Sequence, residues 1–168
     1  QKSVTSTLIG LARDRGLLTL DDPVDRYLDA GWSNAPAMDE AAITVRHLMT
    51  HSSGLTEQLT SADEPGRTFS YNTVAYQRLR LVLEAASGSD INTISRSWLF
   101  DGIGLGSTAR WVPRVDGDAS ALWGLELTAR DMARFGLLAM RNGRWGADQI
   151  TDPGWFAEAW TPCAVKAD

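Results

Sequence analysis

"QKSVTSTLIGLARDRGLL", residues 1–18, reads as an amphipathic helix already under way at its first position. Val4, Leu8, Leu11 and Ala12 recur at the spacing that gathers apolar side chains on one helical face, and Gly16 supplies the stop. No start signal stands in front of it. Lys2 heads this helix and is one of only two lysines, the other being Lys166. On position alone such a lysine belongs to the surface.

Helical punctuation continues outward from that segment. Asp22-Pro23 reads as a cap followed by proline at the first helical position, opening a short helix through Tyr27 and Leu28. Residues 30–41, "AGWSNAPAMDEA", read as a polar loop. Thr44 caps "VRHLMTH", which the "SSGL" turn breaks at Gly54, and residues 56–68 are polar with a turn at Pro65-Gly66. "NTVAYQRLRLVLEAASG", residues 72–88, is the clearest helix, with Leu79, Val82, Leu83 and Ala86 on its inner face and Gly88 at its end. Asp90 caps "INTISRSWLF". The glycine-rich stretch from Asp101 to Leu125 implies turns and a short strand around Ala109–Val112. A capping box at Thr128 and Asp131 opens "TARDMARFGLLAMRNG", and Asp152-Pro153 opens a last helix with Trp155, Phe156 and Trp160. No repeat or linker interrupts this run, so the expected fold class is mainly α, in one piece.

Bulk properties narrow the partners. Lys and Arg number 16 against 21 Asp and Glu, for a formal charge of −5, and no basic stripe stands out, which argues against nucleic acid. No apolar run approaches the ~20 residues of a membrane helix. A single cysteine, Cys163, leaves no internal disulfide and reads as a small core residue. The seven tryptophans are core candidates, with one or two of them on a cleft wall.

Several motif fragments fail on inspection. His47 and His51 are four apart, as in a zinc-protease helix, but Leu48 stands where the glutamate base must be, and no further histidine completes a site. No metal is therefore expected. Gly102, Gly104 and Gly106 miss the spacing of a dinucleotide loop by one residue and read as turns. No G-x-S-x-G elbow surrounds any serine. His51, Ser52 and Ser53 read as residues that fix a turn through side-chain to backbone hydrogen bonds.

Four blocks in order carry a family resemblance: residues 1–24, "ITVRHLMTHSSGL" (Ile43–Leu55), "PGRTFSYNTVAYQRLRLVLEAASG" (Pro65–Gly88) and "WGLELTARDMARFGLLAMRNGRW" (Trp123–Trp145). Together they resemble the serine β-lactamase and penicillin-binding-protein superfamily. The likeness is to its class C-like branch of esterases, DD-peptidases and 6-aminohexanoate-oligomer hydrolases. The family's first signature is S-x-x-K. Only Lys2 can be that lysine, because no serine here lies three residues before a lysine. The resemblance therefore implies a nucleophilic serine two positions upstream of Gln1. It also implies a K-T-G or H-x-G strand after Asp168. Residues 1–168 are then expected to be a partial, helical domain of a serine β-lactamase-like α/β hydrolase, lacking N- and C-terminal parts of the same enzyme.

The implied chemistry is acyl transfer. A serine hydroxyl needs an adjacent base, and residues three apart on a helix share a face. A lysine serves as base near neutral pH only if burial or a nearby positive charge lowers its pKa from ~10.4. Tyr71 in "FSYNTVAY" occupies the second-signature position of Y-x-N, and the resemblance makes it the proton relay. Thr73 replaces the asparagine of that signature, a departure that points away from a true β-lactamase. Gln58, Thr73, Trp111 and Trp123 are candidate substrate-binding residues. The expected substrate is a small molecule or peptide bearing an ester, amide or D-alanyl bond, with no cofactor and no metal. The alternative is a non-catalytic penicillin- or peptide-binding sensor of the same superfamily. The resemblance does not choose between periplasmic, secreted and cytoplasmic compartments.

Overall fold

Helix α1 (Lys2–Asp14) is buried along most of its length, with Val4, Thr5, Thr7, Leu8, Ile9, Gly10, Leu11 and Ala12 all enclosed in the computed structural model, which describes residues 1–114 and 122–162. Its burial is wider than the single apolar stripe of the sequence, because Thr5, Thr7 and Gly10 are small enough to be covered too. Thr7 satisfies its buried hydroxyl by donating to the Ser3 carbonyl at 3.0 Å. Cys163 and Lys166 lie outside the described residues.

The chain divides into two compact units. The first comprises Gln1–Leu17 and Ser87–Pro162. Its core joins α1 to Ile91, Ile94, Leu99, Phe100, Ile103, Trp111, Leu138, Trp155 and Phe156. Asp90 caps α6 (Ile91–Ser95) through the Asn92 and Thr93 amides, and one π-helical turn (Arg96–Phe100) continues it against α1. The guanidinium of Arg96 then knits the glycine-rich turns by donating to the carbonyls of Gly106 and Ala109, at 3.3 and 2.8 Å. Strands β1 (Arg110–Pro113) and β2 (Trp123–Glu126) pair antiparallel, with Trp111 opposite Leu125. Helix α7 (Ala129–Met140) starts at the reciprocal capping box of Thr128 and Asp131. A two-residue hairpin, β3 (Arg144–Trp145) with β4 (Asp148–Gln149), leads to α8 (Pro153–Ala159). There α8 presses Trp155 onto α1 so closely that a Cβ on Gly10 would lie 2.6 Å from the indole.

The second unit covers Leu18–Ala86 among the described residues. It contains α2 (Asp25–Leu28), α3 (Ala37–Ala41), α4 (Val45–Met49) and α5 (Thr73–Ser87), the last continuing one residue into the first unit. Leu20, Val24, Ile43, Val45, Leu48, Leu55, Leu59, Ala75, Tyr76, Leu79, Val82 and Leu83 supply its core. Ala86, expected on the inner face of α5, is only half-buried.

The mainly α expectation holds, with two local corrections. Helix α2 begins after Pro23 rather than at it. Pro23 pairs with Thr44 in an isolated bridge, and the Asp22 carboxylate accepts from Thr19 N–H and Tyr27 O–H instead of capping the helix. Residues 30–41 are not all loop, since α3 occupies Ala37–Ala41 after Pro36. Its Glu40 turns inward and accepts from the amides of Gly31 and Ser33 at 2.6 and 2.8 Å and from the Ser33 hydroxyl. A five-residue helix that buries a glutamate shows no apolar period.

Candidate active site

In the first unit the candidate site residue is Lys2, half-buried in the opening turn of α1. Its neighbour Gln1 donates from Nε2 to the Trp123 carbonyl at 2.6 Å, which ties the head of α1 to β2. Burial pushes the Lys2 amine below the ordinary lysine pKa, and the positive charge of Arg114 lowers it further. Arg114 follows β1 directly and extends the ladder, its amide donating to the Leu122 carbonyl at 2.8 Å. The hairpin that carries it is clamped by Asn92 on α6. That side chain accepts from the Trp111 amide at 2.7 Å and donates to the Trp111 carbonyl at 3.2 Å.

Trp111 is not on a cleft wall. It is 4% exposed, and its indole donates to the buried Ser95 hydroxyl at 2.7 Å, so it has no face left for a substrate. Trp123, on β2, is half-buried.

In the second unit the candidate site residue is Tyr71, 64% exposed and just ahead of α5. Its ring lies on the imidazole of His51, centroid to centroid 4.6 Å and 26° from parallel. The opposite face of His51 lies on Tyr76, at 5.0 Å and 23°. Phe69 meets the same imidazole edge-on at 5.9 Å. Each such ring pair contributes about 0.5–1.5 kcal/mol beyond area burial. Of the two stacked tyrosines, Tyr76 is the structural one: it is buried, and burial followed by the neighbouring Tyr71 pushes its phenol well above the ordinary tyrosine pKa.

Asn72 fixes the backbone beside Tyr71. Buried at 3% exposure, it donates from Nδ2 to the Leu55 and Thr56 carbonyls and accepts the Ala75 amide on Oδ1 at 2.9 Å. The last bond is an N-cap of α5. Thr73 opens α5 and is half-buried; Gln58 is exposed, and its carbonyl accepts from Asn34 Nδ2 at 2.7 Å. His51 does fix backbone, as the sequence suggested, but at long range, since its Nδ1 accepts the Asn72 amide at 3.1 Å. His47 is spent in the capping box of α4 with Thr44. Among the described residues no cluster of His, Cys, Asp and Glu could hold a metal, and no helix is long and apolar enough to cross a membrane.

Sequence reasoning missed His51 as a ring, Asn72 as a cap and Arg114 as a charge beside Lys2. Asn72 was findable, because asparagine directly before an apolar-periodic run is a start signal. The other two depend on tertiary contacts.

The family model described as Beta-lactamase matches residues 1–161. The chain belongs to the beta-lactamase family. Beta-lactamase-like protein str5 of Strobilurus tenacellus is 44% identical over 54 residues, covering 29% of this chain and 19% of that protein. The structure is similar to D-alanine carboxypeptidase AmpC from Burkholderia cenocepacia, with TM-score 0.70 and 23% identity, over 92% of this chain and 51% of that one. It is also similar to a D-stereospecific amidohydrolase from Streptomyces sp., with TM-score 0.71 and 17% identity, over 98% and 64%. At these identities the solved structures speak for the fold. In all three cases the chain spans less than two thirds of the relative's length.

Proposed function

We propose that this chain is the helical part of a serine hydrolase that cleaves an ester, amide or D-alanyl bond through an acyl-enzyme. The reading assigns the nucleophile to a serine two positions before Gln1, the base to Lys2 and the proton relay to Tyr71. The serine hydroxyl gives its proton to the neutral Lys2 amine as its oxygen bonds to the substrate carbonyl carbon. The proton passes through the Tyr71 phenol to the leaving group, and water then releases the acyl group by the reverse proton path.

The observation that carries this reading is the lowered Lys2 amine at the head of α1, within a chain matched by the Beta-lactamase model over residues 1–161. Burial and the positive charge of Arg114 both move the Lys2 amine downward, the direction that a general base requires. A D-alanine carboxypeptidase and a D-stereospecific amidohydrolase share this fold, which is compatible with an amide or D-alanyl substrate. Thr73 in place of asparagine favours ester and linear amide substrates over β-lactams.

The test is turnover of p-nitrophenyl butyrate, nitrocefin and a D-Ala-D-Ala peptide by the polypeptide carrying both this chain and the upstream serine. Lys2→Ala and Tyr71→Phe each lower kcat on the preferred substrate by about 10²–10⁴-fold with folding intact. A loss of less than about tenfold, or ~1.4 kcal/mol, rejects the assigned roles.

A further inference from the structure

We propose that His51 is a positioning residue for Tyr71, holding its phenol in place through the ring stack and through the backbone amides of the residues on either side of it. This rests on the proposed function above, in which Tyr71 carries the proton.

Tyr71 is mostly exposed and lies in a loop, where an aromatic side chain ordinarily samples several rotamers. Here three contacts converge on it from one residue. The imidazole of His51 lies under the Tyr71 ring at 4.6 Å. Ahead of Tyr71, the Ser70 amide donates to the His51 carbonyl at 2.8 Å. Behind it, the Asn72 amide donates to His51 Nδ1 at 3.1 Å. The ring and both neighbours of Tyr71 are thus referred to a single residue.

His51 is itself fixed. Its far face lies on Tyr76, which is buried in α5, and Phe69 closes its edge. Its backbone sits in the left-handed region at φ 55°, which a non-glycine residue adopts only where surrounding contacts compel it. That conformation lets its carbonyl take Ser70 while its ring reaches under Tyr71. Because Nδ1 accepts a hydrogen bond, the ring in this arrangement is neutral with its proton on Nε2. Histidine meets both demands at once, a flat face for stacking and an acceptor at Nδ1. Phenylalanine meets only the first and asparagine only the second.

The test is a double-mutant cycle on p-nitrophenyl butyrate, again in the polypeptide carrying the upstream serine. His51→Asn tolerates the left-handed backbone and keeps an acceptor, so it is the variant most suited to fold, checked by circular dichroism. It is expected to lower kcat about tenfold while KM stays within about threefold, the split of a residue that acts on the reacting step and not on substrate binding. In a Tyr71→Phe background the same substitution costs nothing further, because the hydroxyl it positions is gone. His51→Phe keeps the flat ring and recovers part of the loss. If Tyr71→Phe turns over like the wild type, the proposed function fails and the positioning role with it. If Tyr71→Phe is impaired but His51→Asn is not, or if the two losses multiply, the positioning role alone is overturned. His51→Phe, folded and no better than His51→Asn, overturns the ring contact as its basis.

Discussion

Lys2 and Tyr71 reach their settings by opposite means. Lys2 belongs to a helix enclosed by apolar side chains, and its amine is tuned by what surrounds it, first burial and then Arg114. Tyr71 belongs to a loop, and its ring stacks on His51, which in turn stacks on Tyr76 and accepts the Asn72 amide. Burial adjusts energy levels, and directional contacts adjust position. Under the proposed function, Lys2 is the residue that needs a tuned proton affinity and Tyr71 the one that needs a fixed position. Substitutions in the two units should fail in different ways.

The largest expected effect separates charge from basicity at residue 2. Lys2→Arg keeps the charge and most of the length, but a guanidinium stays protonated throughout the working range. Under the proposed function kcat falls by about 10²–10⁴-fold while the thermal midpoint moves little. Activity kept within tenfold of wild type removes Lys2 as the base.

Glycine substitutions break the comparison at the level of packing. A Cβ at Gly54 would overlap the Asp63 carbonyl oxygen, and its φ of 71° is one that alanine resists. The obstacle is backbone, which cannot turn aside. A Cβ at Gly10 meets the Trp155 indole, a side chain 2% exposed with little room to move. Gly54→Ala should cost about 3 kcal/mol or more, and Gly10→Ala about 1–3 kcal/mol, by denaturant unfolding. The reverse order would mean that the Gly54 turn relaxes more easily than the α1–α8 contact.

A smaller effect compares two asparagines that tie loops or strands to helices, Asn72 buried and Asn92 half-buried. Asn72→Ala strands the Leu55 carbonyl and the Ala75 amide, while the Thr56 carbonyl keeps the Leu59 amide. Asn92→Ala strands the amide and carbonyl of Trp111. Each should cost about 1–3 kcal/mol, and Asn72→Ala should also lower kcat because it releases the backbone beside Tyr71. Equal activity in the two variants would detach Asn72 from the site.

Much of this arrangement was legible in the sequence where one short-range rule settled it. Thr44, Asp90, Thr128 with Asp131, and Asp152 are caps read from local spacing, and each caps its helix in the structure. Lys2 and Tyr71 came from the family resemblance, not from periodicity. What stayed hidden was settled at a distance. Pro23 looks like a helix opener, yet its bridge to Thr44, 21 residues on, delays α2. Trp111 looks like a cleft aromatic, yet Asn92 and Ser95 hold it in the core. His51 looks like a turn residue, and only the fold lays it between two tyrosines.

The smallest expected effect tests which influence on Lys2 matters. Burial is the larger cause of its lowered pKa, and Arg114 is the second. Arg114→Ala removes the second and leaves the first, so the amine rises toward the ordinary lysine range without reaching it. If neutral Lys2 is the base, the acidic limb of the kcat/KM profile moves to higher pH, and activity at pH 7 falls by less than about tenfold. Stability has its own sign. A lysine whose folded pKa lies below its unfolded value binds fewer protons when folded, so stability rises with pH between the two values. Arg114→Ala narrows that window and weakens the rise. A limb that stays in place, with the stability slope unchanged, would show that burial alone sets the amine.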